Sequence, residues 1–148
     1  MGKNILAAVV GYIALFASIF VLFTLAFMVI GVERSYMPGV YNVSMLWIVV
    51  SLVLSFPVAM VGGYVCKLIA GNDQAVKILV GIAVVLGLFM ASGSFFVDAS
   101  EVARLPDVGI MEAMSKSLQP LWVGLLVALI HVGGVLYGAG LRKTSMSE

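Results

Sequence analysis

The chain contains one histidine, His131, in the middle of an apolar run, residues 121–141, long enough to cross a bilayer. An imidazole at that depth has three uses. It can be a neutral packing residue hydrogen-bonded to a Ser, a Tyr or a backbone carbonyl of a facing helix. It can ligate the metal of a haem or chlorophyll-type pigment, or it can relay a proton. At 100° per residue, Gly124, Ala128, His131, Gly134 and Gly138 fall within about a third of the helix circumference, so the ring is expected to point toward other helices rather than lipid. A buried polar group without a partner is costly there, which makes hydrogen-bonded packing the leading reading. The flanking glycines would leave room for a flat ring, and that keeps the cofactor alternative open.

Little else has the makings of a site. Cys66 stands beside Lys67, but on a face of small residues a lone cysteine reads as packing. Lys67 is long enough to snorkel to a headgroup layer. A single cysteine excludes an internal disulfide and every multi-cysteine metal site. The sequence contains no Walker loop, HExxH, GxSxG or paired carboxylates, and Gly133-Gly134 lies inside an apolar helix rather than in a phosphate loop. An enzyme is therefore not expected.

The elements that hold these residues follow from composition. The chain is 63% hydrophobic and 10% charged, with a mean hydropathy of +1.19. A soluble domain of this length would expose far too much apolar surface. About 20 apolar residues cross the hydrocarbon layer, and four segments qualify: 5–32, 46–70, 75–97 and 121–141. The first is too long for a signal core of about 7–15 residues and is read as a retained helix. The expected fold is an all-α membrane protein in one domain, residues 1–148: a four-transmembrane-helix bundle. The net charge of +1 offers no basic stripe to nucleic acid.

Orientation follows from Lys and Arg in the flanks. Lys3, Lys67, Lys77, Arg142 and Lys143 fall on one side, and Arg34, Arg104 and Lys116 on the other. This places both termini in the cytoplasm. The acids Glu33, Asp98, Glu101, Asp107 and Glu112 all fall outside. Gly71-Asn72-Asp73 reads as a tight inner turn, with Gly71 ending one helix and Asp73 capping the next. Outside, Pro38-Gly39 marks a turn, and Tyr36, Tyr41, Trp47 and Trp122 suit the headgroup level. Beyond Pro106, Val108, Met111, Met114 or Ser115, and Leu118 recur at helical spacing. They predict a short amphipathic surface helix between the third and fourth membrane helices, which closes the bundle or docks a partner.

Small residues recur on every membrane helix: Ala7, Gly11, Ala14 and Ser18; Ser51, Ser55, Ala59, Gly63, Cys66 and Ala70; Ala83, Gly87, Ala91 and Ser94; Gly124, Ala128, Gly134 and Gly138. In lipid, close backbone approach through such residues supplies much of the association. Pro57 falls inside the second helix, where it removes a backbone donor and predicts a kink or hinge, with Ser55 able to help satisfy the freed carbonyl.

Comparison with known small four-helix membrane proteins mostly subtracts. Small multidrug exporters carry a buried Glu in their first helix, which this chain lacks. Diheme b-type cytochromes need paired histidines, and vitamin K epoxide reductase-like proteins a CxxC. The stretch Pro38-Gly39-Val40-Tyr41-Asn42-Val43-Ser44-Met45-Leu46-Trp47, followed by Gly62-Gly63-Tyr64-Val65-Cys66, resembles a group of uncharacterised four-helix bacterial inner-membrane proteins. The resemblance covers roughly the first two thirds of the chain. It implies bacterial origin and four helices, and no activity.

The function expected from these features is structural: an accessory or interaction subunit of a larger membrane complex, partnered by other membrane subunits or by itself. The alternatives are a small oligomeric transporter or channel working through Pro57 and His131, and a haem- or chlorophyll-type pigment-binding subunit with His131 as ligand.

Overall fold

The computed structural model describes residues 1–93, 109, 112 and 115–144. The described chain is all-helical, without a strand. Its elements are α1 (Gly2–Ile30), the single turn α2 (Val32–Ser35), α3 (Met45–Ala70), α4 (Asp73–Gly93) and α5 (Leu121–Thr144). Among the described residues three helices are long and apolar enough to cross a membrane: α1, α3 and Leu121–Arg142 of α5. The amphipathic surface helix expected after Pro106, and residues 94–97 of the third expected span, lie outside the described residues apart from a fragment. In that fragment the Lys116 N–H donates to the Glu112 carbonyl (3.1 Å), one helical turn.

Local chemistry sets the helix ends. α1 stops at Gly31, whose positive φ of 80° turns the chain while its N–H bonds the Phe27 carbonyl. The Ser44 hydroxyl accepts from the Trp47 N–H (3.2 Å) and caps α3. Gly71, left-handed at φ 73°, closes α3 with its N–H on the Lys67 carbonyl. The cap of α4 is Asn72, whose Oδ1 accepts from the Ala75 N–H (3.2 Å), and not the expected Asp73. Asp73 is drawn back across the turn to the Lys67 ammonium (2.5 Å). The Lys67 residue is 8% exposed, and its charge is met by this carboxylate.

Packing centres on α3, which meets α5 over the largest interface and α1 over the next. Glycine decides how close the backbones come. A β-carbon on Gly11 would lie 2.7 Å from the Cys66 Cβ, and one on Gly62 2.8 Å from the Leu15 Cβ. Residue 11 thus faces 66 while 15 faces 62, so α1 and α3 are antiparallel. On the other flank of α3, a β-carbon on Gly134 would lie 2.6 Å from the Ala59 Cβ and 2.7 Å from the Phe56 carbonyl oxygen. One on Gly138 would collide with the Met60 carbonyl, and one on Gly63 with that of Val135. Both sets of numbers rise together, so α3 and α5 are parallel.

The expected stripe of α3 is buried throughout, from Ser51 to Ala70. On α1, Ala7 and Gly11 are buried but Ala14 and Ser18 only partly, and Leu15 takes the inward place. α3 runs unbroken through Pro57, which sits on the exposed face. The Ser55 hydroxyl donates to the Ser51 carbonyl (2.7 Å) and not to the Val53 carbonyl that Pro57 leaves without its helical donor. Large apolar side chains cover the outside, among them Phe16, Val29, Val53, Phe89 and Leu129. Inside are mostly alanine, glycine, serine and valine. That inversion is what a lipid solvent selects.

Candidate functional site

The start of α1 and the end of α5 gather at the α3–α4 turn. Asn4 donates to Gln74 (3.0 Å) and accepts from Asn72 (2.9 Å), and Arg142 donates to the Leu68 carbonyl (2.7 Å). This is the turn end of the bundle. The loop end holds residues 31–44 and 115–120, and His131 lies between the two.

His131 is half-buried, and its Nε2 is buried without a hydrogen-bond partner among the described residues. On the helix circumference it stands about 60° from Gly134 and about 60° from Ala128. Gly134 is pressed on α3. Ala128 faces α4, where its Cβ is 3.5 Å from the β-carbon position of Gly87. His131 therefore points at the seam between α3 and α4. In the parallel register it lies one turn before the Gly134–Phe56 approach, level with the Ser55 turn of α3. The hydroxyls on that side are spent on their own helix, Ser55 on the Ser51 carbonyl and Ser51 on the Ile48 carbonyl (2.8 Å). That commitment leaves the imidazole without the donor a facing serine was expected to supply. Thr24 Oγ1 on α1 is another buried group without a partner among the described residues.

The room that the flanking glycines were expected to leave for a flat ring is largely filled. Gly134 is occupied by Ala59 and the Phe56 carbonyl, and Gly138 by the Met60 carbonyl. Gly63 carries the reverse contact, and Gly87 and Gly124 are half-buried. Gly63, Gly134 and Gly138 bring helices together rather than line a slot. Among the described residues no group of His, Cys, Asp and Glu is placed to hold a metal ion.

The loop end is more ordered than its sequence indicated. Tyr36 pairs antiparallel with Val43 across the Pro38-Gly39 turn, where Gly39 has φ 73°, and the Met37 N–H bonds the Asn42 carbonyl (2.8 Å). Leu118 then joins as a neighbouring extended segment. Its N–H donates to the Tyr41 carbonyl (3.0 Å) and its carbonyl accepts from the Val43 N–H (3.2 Å). Ser44 ties the loop to α2 through its N–H on the Ser35 carbonyl (2.9 Å) and its hydroxyl on the Arg34 carbonyl (2.6 Å).

This folding-back corrects the headgroup-level aromatics. Tyr36, Tyr41 and Trp47 are each 2% exposed. Trp47 packs on Phe27 (ring centroids 3.9 Å apart) and edge-on to Phe23, and Tyr36 stands edge-on to Tyr41. Only Trp122 of the four is exposed, at 47%. Lys116 sits 5.6 Å from the centre of the Tyr41 ring. Its hydrogen bond to the Glu112 carboxylate (2.7 Å), and then that carboxylate's charge, hold the ammonium above its ordinary range.

Against this cap lies a groove of about 350 Å³, walled by Met37, Val43, Met45, Ile48, Leu118 and Trp122. Asn42 lines it too, with a buried Oδ1 that has no partner among the described residues. Neither the cap nor the polar lacing at the turn end follows from periodicity, although Lys67 and Asp73 on either side of Gly71 were a readable signal. Comparison of the chain with models of protein families, with curated proteins and with solved structures gives no match.

Proposed function

We propose that the chain is a four-helix bundle of the bacterial inner membrane, α4 being the fourth span, with both termini cytoplasmic. In this reading it serves as a structural or accessory subunit of a larger membrane assembly and docks through its loop end. The observation that carries the reading is the cap. Backbone hydrogen bonds from three separate segments and a buried aromatic cluster hold a non-helical surface rigid. A bundle closed only for its own stability needs no such surface. Around it Met37 (48%), Met45 (66%) and Trp122 (47%) stand exposed beside the apolar groove. Adaptable methionines and an amphipathic indole are the residue types that protein interfaces favour.

Native mass spectrometry of the chain purified in a mild detergent tests this reading. Stoichiometric co-purifying membrane subunits, lost in Met45→Glu or Trp122→Glu, are expected. A clean monomer without partners would sink it.

The buried Nε2 of His131, without a hydrogen-bond partner among the described residues, favours a second reading, a small oligomeric transporter or channel in which that nitrogen takes up a proton or ligand in transit. pH-dependent flux in liposomes that is unchanged in His131→Ala would remove it. A haem or chlorophyll-type pigment on His131 would need the space that α3 fills at Gly134. A visible absorption band that disappears in His131→Ala would be required to support it.

A further inference from the structure

We propose that the cleft between α4 and α5 at the turn end binds an anionic phospholipid, with the phosphodiester headgroup on Lys77 and an acyl chain running along Val76, Leu136 and Gly140. The inference rests on the reading that these helices span a membrane. The cleft has a volume of about 330 Å³, with Val76, Leu136, Ala139 and Gly140 as its apolar wall and Asp73 and Lys77 as its polar rim. The two rim charges are not equivalent. Asp73 is held by the Lys67 ammonium at 2.5 Å, whereas Lys77 makes no ion pair with any described residue. Among the described residues the rim therefore presents Lys77 as a cation without a paired carboxylate above an apolar trough. Arg142 does not line the cleft; its guanidinium reaches the Leu68 carbonyl of α3 instead.

The shape agrees with the charge. A β-carbon on Gly140 meets nothing within 4 Å, so the missing side chain keeps the trough open rather than letting helices touch. A basic residue at the mouth of a cleft between membrane helices is the arrangement that selects acidic headgroups. A zwitterionic lipid would fill the trough as well but would bring its own cation beside Lys77.

The test uses the full chain in detergent, titrated in native mass spectrometry with palmitoyl-oleoyl phosphatidylglycerol or the phosphatidylcholine of the same chains. Tighter binding of phosphatidylglycerol is expected, with Lys77→Gln weakening it about fivefold, as for one basic side chain near an anionic surface, and abolishing the preference. Gly140→Trp should remove both lipids while leaving the helical circular dichroism intact. Lys3→Gln, exposed elsewhere on the turn end, should change nothing. Equal binding of the two lipids, full retention of phosphatidylglycerol in Lys77→Gln, or displacement by glycerol 3-phosphate at similar concentration would overturn the lipid site. Carbonate extraction separates the two failures. A chain washed from its membranes overturns the membrane reading as well, whereas one that stays but shows no preference overturns the lipid site alone.

Discussion

Replacing Gly134 by alanine adds one methyl group at a close approach between α3 and α5. Its carbon would lie 2.6 Å from the Ala59 Cβ and 2.7 Å from the Phe56 carbonyl oxygen. Carbon atoms in ordinary contact sit about 3.5–4.0 Å apart, so the helices must part locally by roughly 1 Å. Neither obstacle is the movable end of a side chain. Overpacking of this kind costs about 1–3 kcal/mol. Gly133→Ala is the control, because its β-carbon meets nothing within 4 Å and alanine favours the helix by up to about 1 kcal/mol.

Unfolding from mild detergent into dodecyl sulfate, followed by tryptophan fluorescence and far-ultraviolet circular dichroism, should separate the two variants by about 1–3 kcal/mol, because the helix-propensity gain is common to both. Gly138→Ala should behave like Gly134→Ala, since its methyl meets the Met60 carbonyl. Ala59→Gly should rescue Gly134→Ala only in part, because the Phe56 oxygen remains. If Gly134→Ala and Gly138→Ala are as stable as Gly133→Ala, the helices do not approach as described and the reasoning fails.

Asp73→Asn leaves the buried Lys67 ammonium without its carboxylate. It should cost about 1.5–3 kcal/mol in the same unfolding assay, more than the near-isosteric Lys67→Met, and equal stability of the two would contradict the pairing. Ser44→Ala removes both the α3 cap and the bond to the Arg34 carbonyl and should cost about 1 kcal/mol; no change would remove Ser44 from the cap. Brominated lipid should quench Trp122, 47% exposed, and spare Trp47, 2% exposed. Emission of Trp122→Phe should therefore survive and that of Trp47→Phe fall. Equal quenching would refute the buried aromatic cluster.

What was legible in the sequence is what a single period encodes. On α3 every small residue of the expected stripe is buried, because in lipid small side chains mark the face that touches another helix. The direction of His131 was readable for the same reason. That its Nε2 has no partner among the described residues was not, since that depends on Ser51 and Ser55 spending their hydroxyls on their own backbone. α1 departs from its stripe beyond Gly11, where Leu15 rather than Ala14 meets Gly62 of α3. The cap was illegible because Asn42 pairs with Leu118, a contact between segments far apart in the chain. Tyrosines that suit a headgroup layer become core once that contact forms. At the turn, Asn72 and Asp73 competed for the α4 cap, and the buried charge on Lys67 settled which one capped.

Both the docking cap and the lipid cleft depend on the helices crossing a membrane with their termini on one side. The most direct measurement labels single cysteines with an impermeant maleimide, in a Cys66→Ala background, on intact cells and on inverted vesicles. Lys3, Pro38, Lys77 and Glu112 are all exposed and stand at successive ends of the helices. Pro38→Cys and Glu112→Cys should label only on intact cells, and Lys3→Cys and Lys77→Cys only on inverted vesicles. Labelling of Lys3→Cys and Pro38→Cys from the same side, or of all four from both, would contradict the account.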